Sequence, residues 1–331
     1  VTRDDKRLYT VDIATKKVTA QYALGGEAYT CVLSPNREEL YISCWGCDKL
    51  YVFNTIKKNI ETEIPVGDNP NELLLNKKGD YLLVANSNDN SVSVINVQER
   101  KVVETLNAAL YADAPNGSTT NGMSFSVDEK TLYIANADNN CLAVFDVKKL
   151  GESKSLGFIP VGWYPTQVRV IGKKLFVSNG KGFHSMANPY GPNPFGNKQI
   201  VLHHEGDPNK PSGVQYIAGL FQGTLSIIDL PSKTQLEAYT RAVYRNTPYT
   251  KVKELLADGE QGNPIPQKVG DPSPIKYVFY VIKENRTYDQ VLGDIPEGNG
   301  DPRLVLFGEK ITPNQDRKST RLNSSHANIS Y

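Results

Sequence analysis

The stretch LYIANADNNCLAVFDVK, residues 132–148, decides the fold class of this chain. Apolar and polar side chains alternate on both sides of a central tract of Asn and Asp. Alternation with a period of two is typical of a half-buried strand rather than a helix. Asn and Asp tolerate positive φ and hydrogen-bond to nearby backbone groups, so they suit a tight turn. The stretch therefore predicts two antiparallel strands joined by a polar turn.

The same pattern recurs along the chain. Close copies are residues 40–54 and 81–96, looser copies are 175–178 and 216–229, and residues 8–17 resemble the end of another. A Lys-rich turn and a third strand follow the hairpins, and a fourth strand, at 71–75 and 166–171, fits after the Pro-Val-Gly corners. Four short strands in every ~40–45 residues is the pattern of a β-propeller blade. The sequence therefore predicts an all-β propeller of four-stranded blades over residues 1–245.

The polar tracts at residues 86–90 and 136–140 are predicted to be structural turns. The competing interpretation is a calcium-binding loop, which needs a fixed ligand spacing and a terminal Glu that neither tract supplies. Turn residues that satisfy their own backbone explain both tracts without a ligand.

The repeated motif resembles the YVTN-repeat family of β-propellers. It consists of Pro-Val-Gly, a strand, a Leu-Tyr-rich strand that ends in Asn or Cys, a polar turn and a Val-rich strand. The clearest examples are Tyr133-Ile134-Ala135-Asn136 and residues 81–86, and the likeness covers most of residues 1–240. The resemblance implies an incomplete propeller that belongs to a seven-bladed one. It says little about activity, because such propellers mostly serve as scaffolds or binding surfaces.

Composition is that of a globular protein without an electrostatic case for nucleic acid. The chain has 39% hydrophobic and 22% charged residues and a formal net charge of +1. No apolar run is long enough to span a membrane, the best being residues 277–282. The chain begins with Val1 in the middle of a repeat, so we expect a truncated N-terminus, and the absence of a signal peptide then carries no information.

Four cysteines and three loop histidines are candidates for chemistry. Cys44 and Cys47 have the spacing of redox and zinc sites, but they lie at a strand end and turn of the repeat, without a second pair. A buried or turn-capping role is favoured, and a local disulfide or a redox role stays open. His184, His203 and His204 lie in or near one loop, where exposed loop histidines are the expected interpretation and metal ligation the alternative.

That loop, residues 180–213, is rich in Gly, Pro and Asn and interrupts the repeat. We expect an insertion between two strands on one rim of the propeller. Long irregular loops in compact domains are usually functional or contact another domain. Asp207, Asn209 and Lys210 suggest a ligand site, and a solvated polar loop explains them equally well.

The repeated strand pattern of the sequence ends after Tyr244. Residues 249–258 predict a short helix and 259–274 a Pro- and Gly-rich stretch, so that 246–274 form a helix and linker. Residues 276–282, KYVFYVI, then predict a buried strand, followed at once by polar residues 283–289. Polar residues at the carboxyl end of a buried strand are where open α/β sheets place active sites.

The segment resembles the start of the phosphoesterase family that includes bacterial phospholipases C and acid phosphatases, in the alkaline phosphatase superfamily. The hallmark Glu-Asn-Arg-Thr-Tyr-Asp stands at residues 284–289, and the likeness continues to residue 315. The resemblance implies that Glu284 and Asn285 ligate a divalent metal ion that activates a phosphate-ester substrate. Arg286 would contact phosphate or pair with Asp289, and Thr287 would cap the next helix. Proteins of this kind join a propeller to a phosphoesterase, with a possible contact between the two domains, and are usually exported to the periplasm or outside the cell.

Residues 316–331 have no relation to what precedes them and resemble the translation of a sequencing adapter. We therefore expect a truncated reading frame in which residues 275–315 are only the first part of a phosphoesterase domain. Two hypotheses follow. In one, the parent is a metal-dependent phosphoesterase, and this chain by itself is inactive and binds no metal tightly. In the other, the propeller is a non-catalytic module that binds a ligand or a surface.

Overall fold

A computed structural model describes residues 1–183, 188, 190–191, 200–204, 207–247, 264–268, 270–280, 282 and 286–313. The chain divides into two compact units. The first consists of Val1–Phe183 with Gln222–Pro248, and the second of His184–Phe221 with Tyr249–Tyr331.

The first unit is a succession of antiparallel sheets. An initial hairpin contains β1 (Arg7–Asp12) and β2 (Lys17–Ala23). Blade 1 contains β3 (Ala28–Leu33), β4 (Glu39–Cys44), β5 (Lys49–Asn54) and β6 (Asn59–Pro65). Blade 2 contains β7 (Pro70–Leu75), β8 (Tyr81–Asn86), β9 (Ser91–Asn96) and β10 (Lys101–Asn107). Blade 3 contains β11 (Thr120–Phe125), β12 (Thr131–Asn136), β13 (Cys141–Asp146) and β14 (Lys154–Pro160). Blade 4 contains β15 (Pro165–Ile171), β16 (Lys174–Asn179) and β19 (Thr224–Asp229).

Fewer regular elements lie among the described residues of the second unit. They are the strands β17 (Val201–His204) and β18 (Asp207–Val214), the helix α2 (Tyr288–Leu292) and short 3-10 helices at Ile217–Leu220 and Pro302–Leu304. The helix α1 (Lys233–Asn246) belongs to the first unit. No helix in the described part of the chain is both long enough and apolar enough to cross a membrane.

The predicted fold class, an all-β propeller of four-stranded blades, is confirmed. The assignment of strands to blades needs one correction. The strand after each Pro-Val-Gly corner was expected to complete the preceding hairpin, but β7 pairs with β8 and β15 pairs with β16. Each corner therefore joins two blades, and the strand that follows it is the first strand of the next sheet. The first strands of successive sheets, β3, β7, β11 and β15, contact one another in turn.

The hydrophobic core lies between neighbouring sheets. Successive side chains of a strand point to opposite faces, so a strand of one blade contributes to two cores. In β8, Leu82 packs with the cluster of blade 1, and Leu83 packs with the cluster of blade 3. Both side chains are fully buried, and each is worth about 1.5–3 kcal/mol relative to exposure. A sheet with two apolar faces thus requires a blade on each side.

Blade 4 is interrupted between its second and third strands. The expected hairpin at residues 216–229 is only partly present, because Ile217–Leu220 form a 3-10 helix and only β19 is a strand. β19 pairs along its whole length with β16, so the residues between them are an insertion into one hairpin, as predicted. The insertion is not wholly irregular, since β17 pairs with β18 inside it. Asp207, Asn209 and Lys210 lie in β18 rather than in a loop.

The helix α1 follows β19 and was not predicted. Ser232 and Gln235 form a reciprocal capping box at its start. Leu236 and Val243 are buried in the clusters on either side of blade 3, and the hydroxyl of Thr240 accepts a hydrogen bond from the amide of Phe158 in β14 at 2.9 Å. The predicted helix at residues 249–258 lies outside the described residues.

The predicted buried strand at residues 276–282 is not a strand in its described part, residues 276–280 and 282. Tyr277, Val278, Phe279 and Tyr280 are between 80% and 91% exposed. A strand needs a hydrogen-bonded neighbour, and within the described part of the chain no segment pairs with this one. The apolar sequence alone therefore did not suffice to form a strand.

Candidate functional site

The Asn and Asp residues of the hairpin turns tie each blade to the next. Asp48, Asn90 and Asn140 end the three turns with φ of 52°, 53° and 53°. The side chain of Asn90 accepts from the amides of Gly117 and Ser118 at 2.9 and 2.6 Å, and that of Asn140 accepts from the amide of Tyr164 at 2.9 Å. The side chain of Asp48 accepts in the same way from the amide of Asn69, in the loop before β7, at 3.2 Å. The turns predicted for these tracts are confirmed.

The Pro-Val-Gly corners contact the Asn that ends the second strand of the following blade. A Cβ atom on Gly67 would lie 2.6 Å from Nδ2 of Asn86, and one on Gly162 would lie 2.5 Å from Nδ2 of Asn179. Glycine is needed because a side chain would occupy the space of the carboxamide. The corner and the terminal Asn are therefore one structural unit, although they are separated in sequence.

A groove of about 310 Å³ lies at this junction in blade 2. Its lining combines the corner residues with the polar ends of β8 and β9 and one edge of β10. The lining residues are Pro65, Val66, Gly67, Asn86, Asp89, Ser91, Ser93, Val102 and Thr105. Asn86 is fully buried, and its Oδ1 atom has no hydrogen-bond partner. A buried acceptor without a donor is unfavourable, and Asn136 and Asn179 have the same unpartnered oxygen in blades 3 and 4.

A second polar cluster lies on the first strands of the blades. The pairing of each first strand with its neighbour shifts near its start, and this shift lies between Pro70 and Leu73 in β7. Such bulges re-aim side chains. Glu72 accepts from Nε2 of Gln167 at 3.0 Å and forms an ion pair with Arg169 at 3.8 Å, although the two partners belong to blade 4. The cluster joins blades 2 and 4 across blade 3.

The approach of blade 4 to blade 2 depends on one glycine of blade 3. A Cβ atom on Gly122 would lie 2.6 Å from both Cα and Cδ of Gln167. Arg169 also donates to the carbonyl of Met123 at 3.2 Å. These contacts satisfy the polar groups of the cluster within the protein, which indicates a structural role.

Cys44 and Cys47 form a disulfide within the β4–β5 turn. Cys44 is paired with Lys49, as Asn86 is paired with Ser91, so the cysteine occupies the position that Asn holds in other blades. Cys44 is buried at the end of β4, but the two cysteines are bonded to each other, so the less favoured alternative, a local disulfide, is the one present. Cys31 is a free exposed thiol, and burial raises the pKa of the free Cys141 thiol to about 12.

The predicted metal ligands Glu284 and Asn285 lie outside the described residues. Arg286 is described, and its guanidinium lies 5.3 Å from the centre of the Phe307 ring. Thr287 forms a capping box with Gln290 at the start of α2, as predicted for a helix cap. The helix α2 therefore begins within the Glu-Asn-Arg-Thr-Tyr-Asp motif, at Tyr288.

Carboxylates at the end of this motif and after it hold the loops together. Asp289 accepts from the amide of Asp301 at 2.8 Å, and Asp294 accepts from the amide of Glu309 at 2.9 Å. Hydrogen bonds from Arg303 lower the pKa of the Asp301 carboxyl to about 2. These three carboxylates therefore have a structural role in the described part of this segment.

Among the described residues, no group of three or more His, Cys, Asp or Glu side chains is arranged to hold a metal ion. His184 lies outside those residues, and His203 and His204 lie in β17. The metal prediction for Glu284 and Asn285 stays a prediction.

Residues 6–117 match the family model described as lactonase, 7-bladed beta-propeller. No curated protein sequence matches the chain. The match agrees with the propeller fold of the first unit.

Several solved structures are similar to this chain. A protein from Lactobacillus plantarum has a TM-score of 0.47 and 18% identity, over 52% of this chain and 57% of that protein. The hydrazine synthase of Kuenenia stuttgartiensis has a TM-score of 0.43 and 18% identity, over 72% of this chain and 77% of that protein. The dihydro-heme d1 dehydrogenase NirN, in complex with DHE, has a TM-score of 0.45 and 16% identity, over 54% of this chain and 38% of that protein. The chain thus spans little more than half the length of the first of these proteins.

Sequence reasoning missed the groove and the cluster around Glu72. One signal for the groove was present, because Pro-Val-Gly precedes a strand pair that ends in Asn in two blades. The cluster around Glu72 gave no signal, since its members come from strands of different blades.

Proposed function

We propose that this chain supplies the propeller scaffold of an exported, metal-dependent phosphoesterase. The observation that carries the proposal is the exposure of the apolar residues 277–280 and 282, which precede the Glu-Asn-Arg-Thr-Tyr-Asp motif. Val278 is 80% and Phe279 is 91% exposed. Leaving such side chains in water costs about 1.5–3 kcal/mol each relative to burial. The run therefore has the composition of a strand that a further sheet would cover.

The residues of the motif suit a hard divalent cation. Glu284 supplies a carboxylate and Asn285 an amide oxygen, which are the donors that Mg²⁺ and Ca²⁺ prefer. Two such residues fill only part of a coordination shell, so the remaining ligands would come from other parts of the parent protein. A metal ion beside a phosphoryl group neutralises its charge and activates the attacking oxygen. In this chain, Arg286 would add a positive charge near the phosphate.

The propeller fits the role of a scaffold because its turn carboxamides and the cluster around Glu72 are satisfied within the protein. The turn carboxamides bind backbone amides of the next blade, and Glu72 binds Gln167. The disulfide between Cys44 and Cys47 supports export, since disulfides persist in oxidising compartments. Export is otherwise proposed from the family resemblance.

The test compares this chain with one extended by the coding sequence that follows residue 315 in the source. Both are assayed with p-nitrophenyl phosphate and added Mg²⁺, Mn²⁺ or Zn²⁺. We expect the extended chain to hydrolyse the substrate, and Glu284→Ala in that chain to lower the rate of hydrolysis by at least ~100-fold. We expect no hydrolysis by residues 1–331. Equal activity of the extended chain and its Glu284→Ala variant would refute the metal role. If residues 1–331 hydrolyse the substrate faster than the same chain with Glu284→Ala does, the scaffold role is refuted.

A second candidate is that the propeller itself is the working part, as a ligand- or surface-binding module. The groove of blade 2, which is lined mainly by polar side chains, favours this function. The match to a lactonase propeller adds lactone hydrolysis as an activity to assay on residues 1–331. Saturable binding of a simple δ-lactone without turnover would favour the second candidate, and turnover would contradict its non-catalytic character. Absence of phosphatase activity in the extended chain would exclude the first candidate.

A further inference from the structure

An Asn-Gly pair is open to one covalent change in particular, the loss of ammonia from the Asn side chain. Glycine has no Cβ atom, so its amide nitrogen reaches the preceding side-chain carbonyl with little steric hindrance. The chain has four such pairs, at residues 116–117, 121–122, 179–180 and 299–300. Because the chemistry of the four pairs is the same, their surroundings decide which of them reacts.

Two of the pairs are held in the sheets of the blades. Asn121 and Gly122 lie in β11, and a Cβ atom on Gly122 would lie 2.6 Å from Cα of Gln167. Asn179 ends β16 and is 2% exposed, and its Nδ2 atom donates to the hydroxyl of Ser226 at 3.0 Å. Attack on the side chain rotates the backbone at the Asn residue, which in a packed strand requires local unfolding. We expect these two pairs to be stable.

The pair of Asn116 and Gly117 lies in the loop that joins β10 to β11. Both residues are exposed. Gly117 has a φ of 138°, and a Cβ atom there would meet no atom within 4 Å. The side chain of Asn116 therefore has room to fold back on the amide of Gly117, and water has access to the product.

One contact restrains this exposed pair. The amide of Gly117 donates to Oδ1 of Asn90 at 2.9 Å. The amide must leave this acceptor before its nitrogen can attack, and breaking the bond costs free energy. Asn90 is 3% exposed and is held in place because it also accepts from Ser118 and donates to Pro115. The turn of blade 2 therefore controls the reactivity of the loop before blade 3.

We propose that Asn116 is a site of spontaneous deamidation and that Asn90 limits its rate. The Gly117 nitrogen loses its proton and bonds to the side-chain carbonyl carbon of Asn116, while the carbon–nitrogen bond of the carboxamide breaks and ammonia leaves. Water then opens the cyclic imide at either carbonyl, which gives aspartate or isoaspartate.

The isoaspartate product alters the junction between blades 2 and 3. It carries the main chain through the side chain of residue 116, so the amides of Gly117 and Ser118 lose their alignment with Asn90. The modification thus weakens the contact that restrained it. This site is separate from the proposed metal site, so either can be refuted alone.

The test is incubation of residues 1–331 at pH 8 and 37 °C, followed by digestion and mass spectrometry of the peptides. We expect Asn116 to deamidate at least about tenfold faster than Asn121 and Asn179, because those residues react only after local unfolding. Labelling by an isoaspartyl methyltransferase should find isoaspartate at residue 116. An Asn116 that reacts no faster than Asn121 would overturn the proposal.

Two variants test the role of Asn90. Asn90→Gly removes the acceptor without backbone strain and should speed the reaction of Asn116 about fivefold, which is the rate equivalent of one hydrogen bond. Asn90→Asp keeps an acceptor for the Gly117 amide, so the rate should stay within about twofold of that in the unsubstituted chain. Equal rates at Asn116 in Asn90→Gly and in the unsubstituted chain would refute the control by Asn90.

Other Asn-Gly pairs of the same chain are the internal controls. Asn299 is exposed and belongs to the second unit, so its rate should be the same in all three chains. A rise at Asn116 without a rise at Asn121 supports the local control by Asn90. Equal acceleration of Asn116 and Asn121 in Asn90→Gly would contradict it, because global unfolding would then explain the effect.

Discussion

Replacement of Asn90 by Ala is expected to weaken the junction between blades 2 and 3. Asn90 is 3% exposed, and its carboxamide makes three hydrogen bonds to the loop before β11. Its side chain accepts from the amides of Gly117 and Ser118 and donates to the carbonyl of Pro115 at 2.9 Å. Each bond contributes about 1 kcal/mol, so their loss costs about 3 kcal/mol.

The backbone of Asn90 adds a second contribution. Its φ of 53° is in the left-handed region, which Asn tolerates and Ala occupies at a cost of about 1 kcal/mol. The free energy of unfolding of Asn90→Ala should therefore fall by about 4 kcal/mol. Asn90→Gly loses the hydrogen bonds without the strain, so it should be about 1 kcal/mol more stable than Asn90→Ala.

Equilibrium unfolding in urea, followed by circular dichroism, measures both differences. Lys58 is the matched control, because it has a φ of 58° and an exposed side chain. Lys58→Gly should stabilise the protein by up to about 1 kcal/mol and Lys58→Ala should have little effect. A loss below about 1 kcal/mol in Asn90→Ala would refute the idea that the turn carboxamide joins the blades.

Three further predictions concern the same fold. Reduction of the Cys44–Cys47 disulfide should lower the free energy of unfolding by only about 2 kcal/mol, because the loop that it closes is short. Urea unfolding with and without a phosphine reductant measures this loss, and the stability of Cys44→Ser/Cys47→Ser should not change when the reductant is added. Thr240→Val should lower the free energy of unfolding by about 1–3 kcal/mol, because the amide of Phe158 loses its acceptor. A calorimetric melting temperature equal to that of the unsubstituted chain would contradict this contact between α1 and β14. The pKa of Cys141 is raised by burial to about 12, so the unfolded chain loses the thiol proton before the folded chain does, and stability is lost as the pH rises from the ordinary thiol value towards 12. Unfolding measured between pH 8 and pH 10.5 should show this loss diminished in Cys141→Ala, and identical pH profiles would contradict it.

Local patterns carried most of the correct predictions. The hairpins were predicted because the alternation of β8 and β9 and the Asn-rich turn between them are encoded within about fifteen residues. The insertion in blade 4 was predicted from its composition. The assignment of the strand after each Pro-Val-Gly corner to the preceding blade was wrong, because the sequence of a strand does not specify which neighbouring strand it pairs with. The pairing of β7 with β8 depends on the turn at residues 76–80 and on the contact of β7 with β3 and β11.

The sequence by itself determined the strands, their two-sided apolar faces and the turns with positive φ, since these follow from side-chain alternation and backbone sterics over short distances. Only the tertiary structure decided how the turns are used. Asn90 binds amides 27 and 28 residues away, and Asn86 meets Gly67 from the preceding corner. The same distance effect explains residues 276–282, whose apolar composition predicts a strand that forms only beside a partner. Hydrogen bonds between segments far apart in the chain form only when the packing of the blades brings those segments together, so the sequence of a single repeat cannot specify them.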